Sequence, residues 1–351
     1  MDTIWYGILT AMLAMYVVLD GFDLGIGTTC LFLARTEPER RAALAAIGPV
    51  WNGNEVWLIA SGGLLFFAFP KAYAAGFSGF YLALIVVLWL LMFRGLALEL
   101  RGHMTHRLWR QFWDAAFAGS SAGLALVLGA ALGNLIRGVP LNQDGYFFVA
   151  LWTDFHSGPN PGILDWFTLL TGLASGVILS WHGANYLALK CEGALYDRAV
   201  RYSWSTGWAV GGLTAAVMGA ITVVQPGLRL NYSAHPIGYV LPLLGPLSLG
   251  AWGWCRRQRH DAYAFAASSL FILTMLASVA WGCYPNVLIA TTSPANSLTI
   301  ANASAGAYGL EAGFGWFVVG LALIAAYTIT VHLAFRGKVR LGDSLHDQAS
   351  P

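Results

Sequence analysis

"IWYGILTAMLAMYVVLDGFDLGIGTTCLFLA", residues 4–34, decides the fold class. Only two of its side chains are charged, Asp20 and Asp23, and both stand among glycines in "LDGFDLGIG" at 19–27. As a helix rising about 1.5 Å per residue, the run reaches roughly 46 Å, more than a bilayer's hydrocarbon core of about 30 Å. An acid at depth in such a helix costs at least about 2.5 kcal/mol, so each carboxyl needs a partner or a task. Measured back from Arg35, the two acids lie roughly 18 to 22 Å from the polar end. They are separated by about 300° of helical rotation, so they share a face.

Composition extends this reading to the whole chain. Of 351 residues, 57% are hydrophobic and 10% charged, and the mean hydropathy is +0.62. Soluble domains carry about 25% charged residues. The chain therefore reads as an all-α polytopic membrane protein, residues 1–351 forming a single integral membrane domain. A net charge of +2 with no long basic tract points away from nucleic acid. The first segment lacks a basic leader and is expected to stay in the mature protein. Four cysteines without a CxxC spacing suggest neither zinc nor a disulfide framework. Phosphate-binding, nucleophile-elbow and metalloprotease motifs are missing. The 41 glycines read mainly as packing residues between membrane helices.

Nine spans are predicted, at about 4–34, 50–70, 77–100, 113–136, 163–189, 202–223, 237–255, 262–283 and 313–335. Pro242 and Pro246 make the seventh the weakest. Arg35, Arg40 and Arg41 begin a series of basic residues that fills the odd-numbered connections and the tail, through Arg336, Lys338 and Arg340. Those segments hold 15 of the 19 Lys and Arg residues. The positive-inside rule then places them and the C-terminus in the cytoplasm, with the N-terminus periplasmic. The long connections 137–162 and 284–312 face outward as ordered caps.

The polar residues within spans are few. The second span opens "PVWNGNEVWLIASGG", at 49–63, with Asn52, Asn54 and Glu55 in its first two turns. Trp51 and Trp57 read either as interfacial anchors or as subunit-interface or channel-lining residues. Arg94 lies about 10 Å inside Arg101 and either snorkels or pairs with Asp20, Asp23 or Glu55. His182 and His332 read as hydrogen-bonded histidines, although helical histidines can in principle ligate a haem iron. No metal site is expected in this chain.

The pieces "DGFDLGIG" (20–27), "PVWNGNEVWLIASGG" (49–63), "GFSGFY" (76–81), "FRG" (93–95), "LGNLIRGVP" (132–140) and "HGANYLALKCEG" (182–193) occur in one order. That ordered set resembles subunit II of the cytochrome bd-type quinol oxidase family, including its cyanide-insensitive branch. It covers most of residues 1–193; the remainder matches in hydropathy and span count. The resemblance implies a heterodimer in the bacterial inner membrane with a haem-bearing subunit I, which holds the quinol site, two haems b and haem d (or b in its place). A small third subunit, quinone or lipid are further implied partners. The complex oxidises quinol and reduces dioxygen to water, with protons drawn from the cytoplasm. Subunit II itself holds no haem and no catalytic residue.

Relatives of the better-known branch have Asp where this sequence has Asn52, and an amide does not exchange protons as a carboxyl does. Glu55, one helical turn along where some relatives have Gln, is the group to which the titratable role is expected to have moved. The proton-pathway candidates are thus Asp20, Asp23, Glu55 and Asn52, with Arg94 as the intramembrane ion-pair candidate. A proton-coupled secondary transporter would use the same acids, and a purely structural scaffold of the oxidase would need none of them to titrate.

Overall fold

The computed structural model describes residues 1–158 and 161–339, so Arg340 of the tail lies outside the described residues. Helix α1 (Asp2–Leu33) is the axis of the molecule. It packs along α3 (Trp51–Ala68), α6 (Arg107–Arg137) and α7 (Trp166–Lys190). Helix α5 (Tyr81–Leu100) lies on α6, and α8 (Gly193–Val224) on α7. A second group, α10 (Val240–Arg257) against α11 (Asp261–Cys283), meets α1 and α7 through α11. The last long helix is α13 (Ala307–Ala334). Short helices α2 (Glu37–Ile47), α4 (Pro70–Gly79), α9 (Leu228–Ala234) and α12 (Ile300–Ala303) complete the set.

Among the described residues seven helices are long and apolar enough to cross a membrane: α1, α5 with the turn to His103, α6, α7, α8, α11 and α13. The chain is a multi-pass, all-α membrane protein. The predicted spans at 50–70 and 237–255 correspond to α3 and α10, helices of 18 residues each. Several helices overrun their predicted spans. Helix α8 begins at Gly193 rather than 202, and α6 at Arg107 rather than 113. Hydropathy reads only the apolar length, whereas the backbone ladder continues into polar turns. Two short helices also sit where connections were expected. Pro70 starts α4, its fixed φ and missing N–H suiting a first turn. Helix α2 starts from a capping box in which Thr36 Oγ1 accepts from Glu39 N and Glu39 accepts from Thr36 N.

Glycine lets α1 and α7 touch backbone to backbone. A Cβ at Gly25 would fall 1.9 Å from Leu179 O, and one at Gly183 would fall 2.5 Å from the Gly25 carbonyl carbon. Gly25 belongs to "DGFDLGIG" and Gly183 to "HGANY", so two of the recognised pieces form one helix crossing.

At the end of the bundle holding the α1 N-terminus, the two long connections join. Val139 N donates to Ile289 O and Thr291 N to Val139 O, both at 2.9 Å. Strands β1 (Asn286–Leu288) and β2 (Leu298–Thr299) pair antiparallel beside them. Trp5, Phe69, Leu141, Phe147 and Leu288 share a buried apolar cluster under this cap. Arg137 closes it, pairing with Asp165 and donating to Gly162 O and Asn134 Oδ1.

Candidate functional site

Near the middle of the bundle one guanidinium faces three carboxyl groups. Arg94, on α5, is fully buried. Its Nη2 donates to Asp20 Oδ1 at 2.5 Å and its Nη1 to Asp20 Oδ2 at 3.0 Å, a two-pronged pairing. The same Nη1 donates to Glu55 Oε1 at 2.8 Å, and Nη2 lies 3.7 Å from Asp23 Oδ2. Asp20 and Asp23 reach one group because they are three residues apart on α1. Glu55 joins them because the first turns of α3 pack on α1.

Asn54 completes the arrangement. Its Nδ2 donates to Asp23 Oδ2 at 2.8 Å and to Leu19 O at 3.1 Å. Asp23 Oδ1 has no protein partner among the described residues. Full ionisation would leave a formal charge of −2 among apolar helices, so the arrangement is rich in carboxyl groups relative to cations. Asp20 and Asp23 are sealed, whereas the Glu55 side chain is 22% exposed and opens to the outside of the chain.

The other predicted residues lie around this centre. Asn52 is exposed on the opposite side of α3 from Asn54 and makes none of these bonds. Trp51 is half-buried, its ring 3.8 Å from where a Cβ on Gly95 would stand. Trp57 is buried against Met12 and Tyr16 of α1. Sequence reasoning did not give Asn54 a role. Two asparagines flank Gly53, and they project about 200° apart on a helix, so only the phase of α3 against α1 separates them.

The profile of the family described as "Cytochrome bd terminal oxidase subunit II" matches residues 1–335. The chain belongs to that family. It is 31% identical to "Cytochrome bd-I ubiquinol oxidase subunit 2" of Escherichia coli (strain K12), over 97% of this chain and 95% of that one. It is 29% identical to "Cytochrome bd ubiquinol oxidase subunit 2" of Bacillus subtilis (strain 168), over 88% of both chains. In fold it is similar to a chain of the bd oxidase structure from Geobacillus thermodenitrificans, with a TM-score of 0.76, 17% identity, and coverage of 95% of this chain and 98% of that one.

The family implies haem, and His182, fully buried on α7, is the side chain here that an axial ligand would have to be. His182 Nε2 lies 3.1 Å from Val18 O and Nδ1 lies 2.7 Å from Ser268 Oγ. A carbonyl only accepts, so Nε2 carries the proton, and Nδ1 faces Ser268 Oγ, whose single hydrogen is shared between Nδ1 and Phe265 O. Both nitrogens are engaged, and the ring does not fit an axial ligand. His332 sits on α13 with Nδ1 2.9 Å from Thr328 O. Among the described residues no group of three or more His, Cys, Asp or Glu is arranged for a metal.

A second cluster stands at the end where α2, α5 and α6 meet. Arg101 pairs with Asp114 at 2.5 Å and with Glu37 at 2.9 Å. Arg40 reaches Asp114 at 3.0 Å, and Arg110 and Arg41 reach Glu37 at 3.1 and 3.6 Å. Beside it, Glu39 of α2 pairs with Arg198 of α8 at 2.5 Å. Burial pushes the Glu39 carboxyl up, but Arg198 and the N–H groups of Thr36 and Arg35 more than offset it, and it titrates below the ordinary glutamate range.

Proposed function

We propose that this chain is subunit II of a bd-type terminal oxidase in a bacterial inner membrane, and that its buried carboxyl cluster conducts protons toward the oxygen site of a haem-bearing subunit I. The observation that carries the reading is Arg94 outnumbered by three carboxyl groups, with Glu55 alone of the four opening to the outside. Reducing dioxygen to water consumes protons that must cross a dry region, and intramembrane carboxyls mark such relays. In this reading Asp23 and Asp20 hand protons across the Arg94 guanidinium to Glu55. Arg94 keeps the acids together and its charge offsets theirs, while Asn54 orients Asp23. The haems and the quinol site belong to subunit I and supply the electron transfer.

The wider arrangement follows the same reading. Residues 1–351 form one integral membrane domain crossing nine times, α3 and α10 joining the seven longer helices. The basic connections face the cytoplasm, and the cap built from the two long connections faces outward. Trp51 lines the subunit or channel surface at the mouth of α3. Quinone, lipid and a small third subunit are partners of the complex.

The test replaces relay acids by amides in the purified complex. Glu55→Gln and Asp20→Asn each leave Arg94 two carboxyl partners, so assembly and haem content stay normal. Quinol oxidation slows roughly tenfold or more, about 1.4 kcal/mol of added barrier, and more so as pH rises and protons become scarce. Normal turnover in both singles and in the double variant would sink the relay. Loss of subunit I instead would make the acids anchors of a structural scaffold. A chain that purifies colourless and alone would favour a transporter.

A further inference from the structure

At the end of the bundle where α7 and α13 finish, the structure holds a cavity of about 280 Å³ that the relay does not use. Ala45 and Ala46 of α2, Pro49, and Tyr186 and Lys190 of α7 form one side; Arg336 and Lys338 close the other. The segment after α13 is tied in place, because Lys190 Nζ donates to Phe335 O at 2.6 Å and Val339 N donates to Lys190 O at 2.7 Å. These two bonds hold residues 335–339 against the end of α7.

Its electrostatics run in one direction. Among the described residues no Asp or Glu lines it. Lys190, Arg336 and Lys338 form no ion pair with the described residues, and Lys338 leans on the Tyr196 ring, its Nζ 4.8 Å from the centroid. Pro49 and Val50 bring the start of α3 to the wall, and that helix begins without a side-chain cap. The positive end of its dipole therefore lies on the same side as the three cations.

We infer that this cavity binds a phosphate-bearing anion, the glycerophosphate headgroup of an acidic phospholipid. It lies at the ends of two membrane-length helices, where headgroups stand, and basic pockets between such helices suit them. Its volume of about 280 Å³ lies just below the usual range of small-molecule sites, about 300–1,000 Å³. That accommodates a phosphodiester and its glycerol, with the alanines, Pro49 and Tyr186 as an apolar wall and the acyl chains left outside. The inference is independent of the proton relay.

The test uses native mass spectrometry of the purified complex, offered phosphatidylglycerol, phosphatidylcholine or inorganic phosphate. The wild type retains phosphatidylglycerol in preference to phosphatidylcholine. The double variant R336Q/K338Q, changed at two exposed positions, loses about tenfold or more of that retention. R107Q/R201Q removes the same charge from exposed positions outside the cavity and retains the lipid. Excess inorganic phosphate leaves the lipid in place if the headgroup is the source. If it displaces the lipid and itself binds through Arg336 and Lys338, the source is free phosphate and the site's chemistry stands. Equal retention of the two lipids by the wild type, or retention unchanged in R336Q/K338Q, would overturn the site.

Discussion

The molecule holds two charge clusters of opposite imbalance. In the interior, Arg94 faces Asp20, Asp23 and Glu55, one cation to three acids. At the end of the bundle, Arg40, Arg41, Arg101 and Arg110 face Glu37 and Asp114, four cations to two acids. The end cluster can carry its excess because Arg40, Arg41 and Arg110 are partly exposed and water solvates them. The interior cluster has no such outlet beyond the edge of Glu55. A surplus of acids there is costly to keep unless it is used. The end cluster ties α2 to α5 and α6, so it secures helices; the interior one keeps carboxyl groups that a purely structural pair would not require.

The largest effect should come from removing the interior cation. Arg94→Gln leaves two buried acids and the partly exposed Glu55 without their counter-charge, and stripping one partner from a buried pair costs about 3–5 kcal/mol. The yield of assembled complex should fall sharply, and adding Asp20→Asn should restore part of it. Full yield and full turnover in the single variant would show that the acids do not need Arg94.

The same operation on the end cluster should behave differently. Asp114→Asn leaves Arg101 and Arg40 short of an acceptor at a buried position, a loss of about 1–3 kcal/mol. Thermal unfolding should move down, while turnover per assembled complex stays unchanged. A slowed turnover with assembly intact would erase the distinction between the clusters.

Much of this was legible in the chain because a bilayer imposes simple rules. Every long helix falls on a predicted span, since apolar length is the property hydropathy measures. The acids of α1 and Arg94 stood out because charge is rare in such segments. What remained hidden depends on helix phase and on polar surroundings. Asn52 and Asn54 are equivalent in sequence, and packing of α3 on α1 chose Asn54. Asp114 lies in an ordinary polar turn, and nothing local shows that Arg101 and Arg40 converge on it from other helices. Helix α2 could have been found: Thr36, Pro38 and Glu39 spell a capping box with a proline in its first turn. The α1–α7 crossing was visible only as glycines, because the partner of a close approach is not written beside it.

The smallest effect tests whether ties at this end act by charge. Glu39 joins α2 to α8 through Arg198 and accepts the Arg35 and Thr36 N–H groups at 2.8 and 3.0 Å. Its carboxyl titrates below its ordinary value in the folded chain. A depressed acid stabilises the fold at pH above its unfolded value, about 4.3, and that contribution is lost as pH falls through the lower folded value. The variant Glu39→Gln lacks the charge at every pH. At pH 7 it should therefore unfold slightly more easily than the wild type, by about 1 kcal/mol, because the amide still accepts the Arg35 and Thr36 N–H groups and only the charge is lost. As pH falls through the folded value the wild-type carboxyl also takes up a proton, and the gap should close. The measurement is the difference in unfolding temperature between the two proteins across that range. A gap that stays constant down to low pH would mean that Glu39 holds α2 by shape and capping alone, leaving Asp114 and Glu37 to carry the charge at this end.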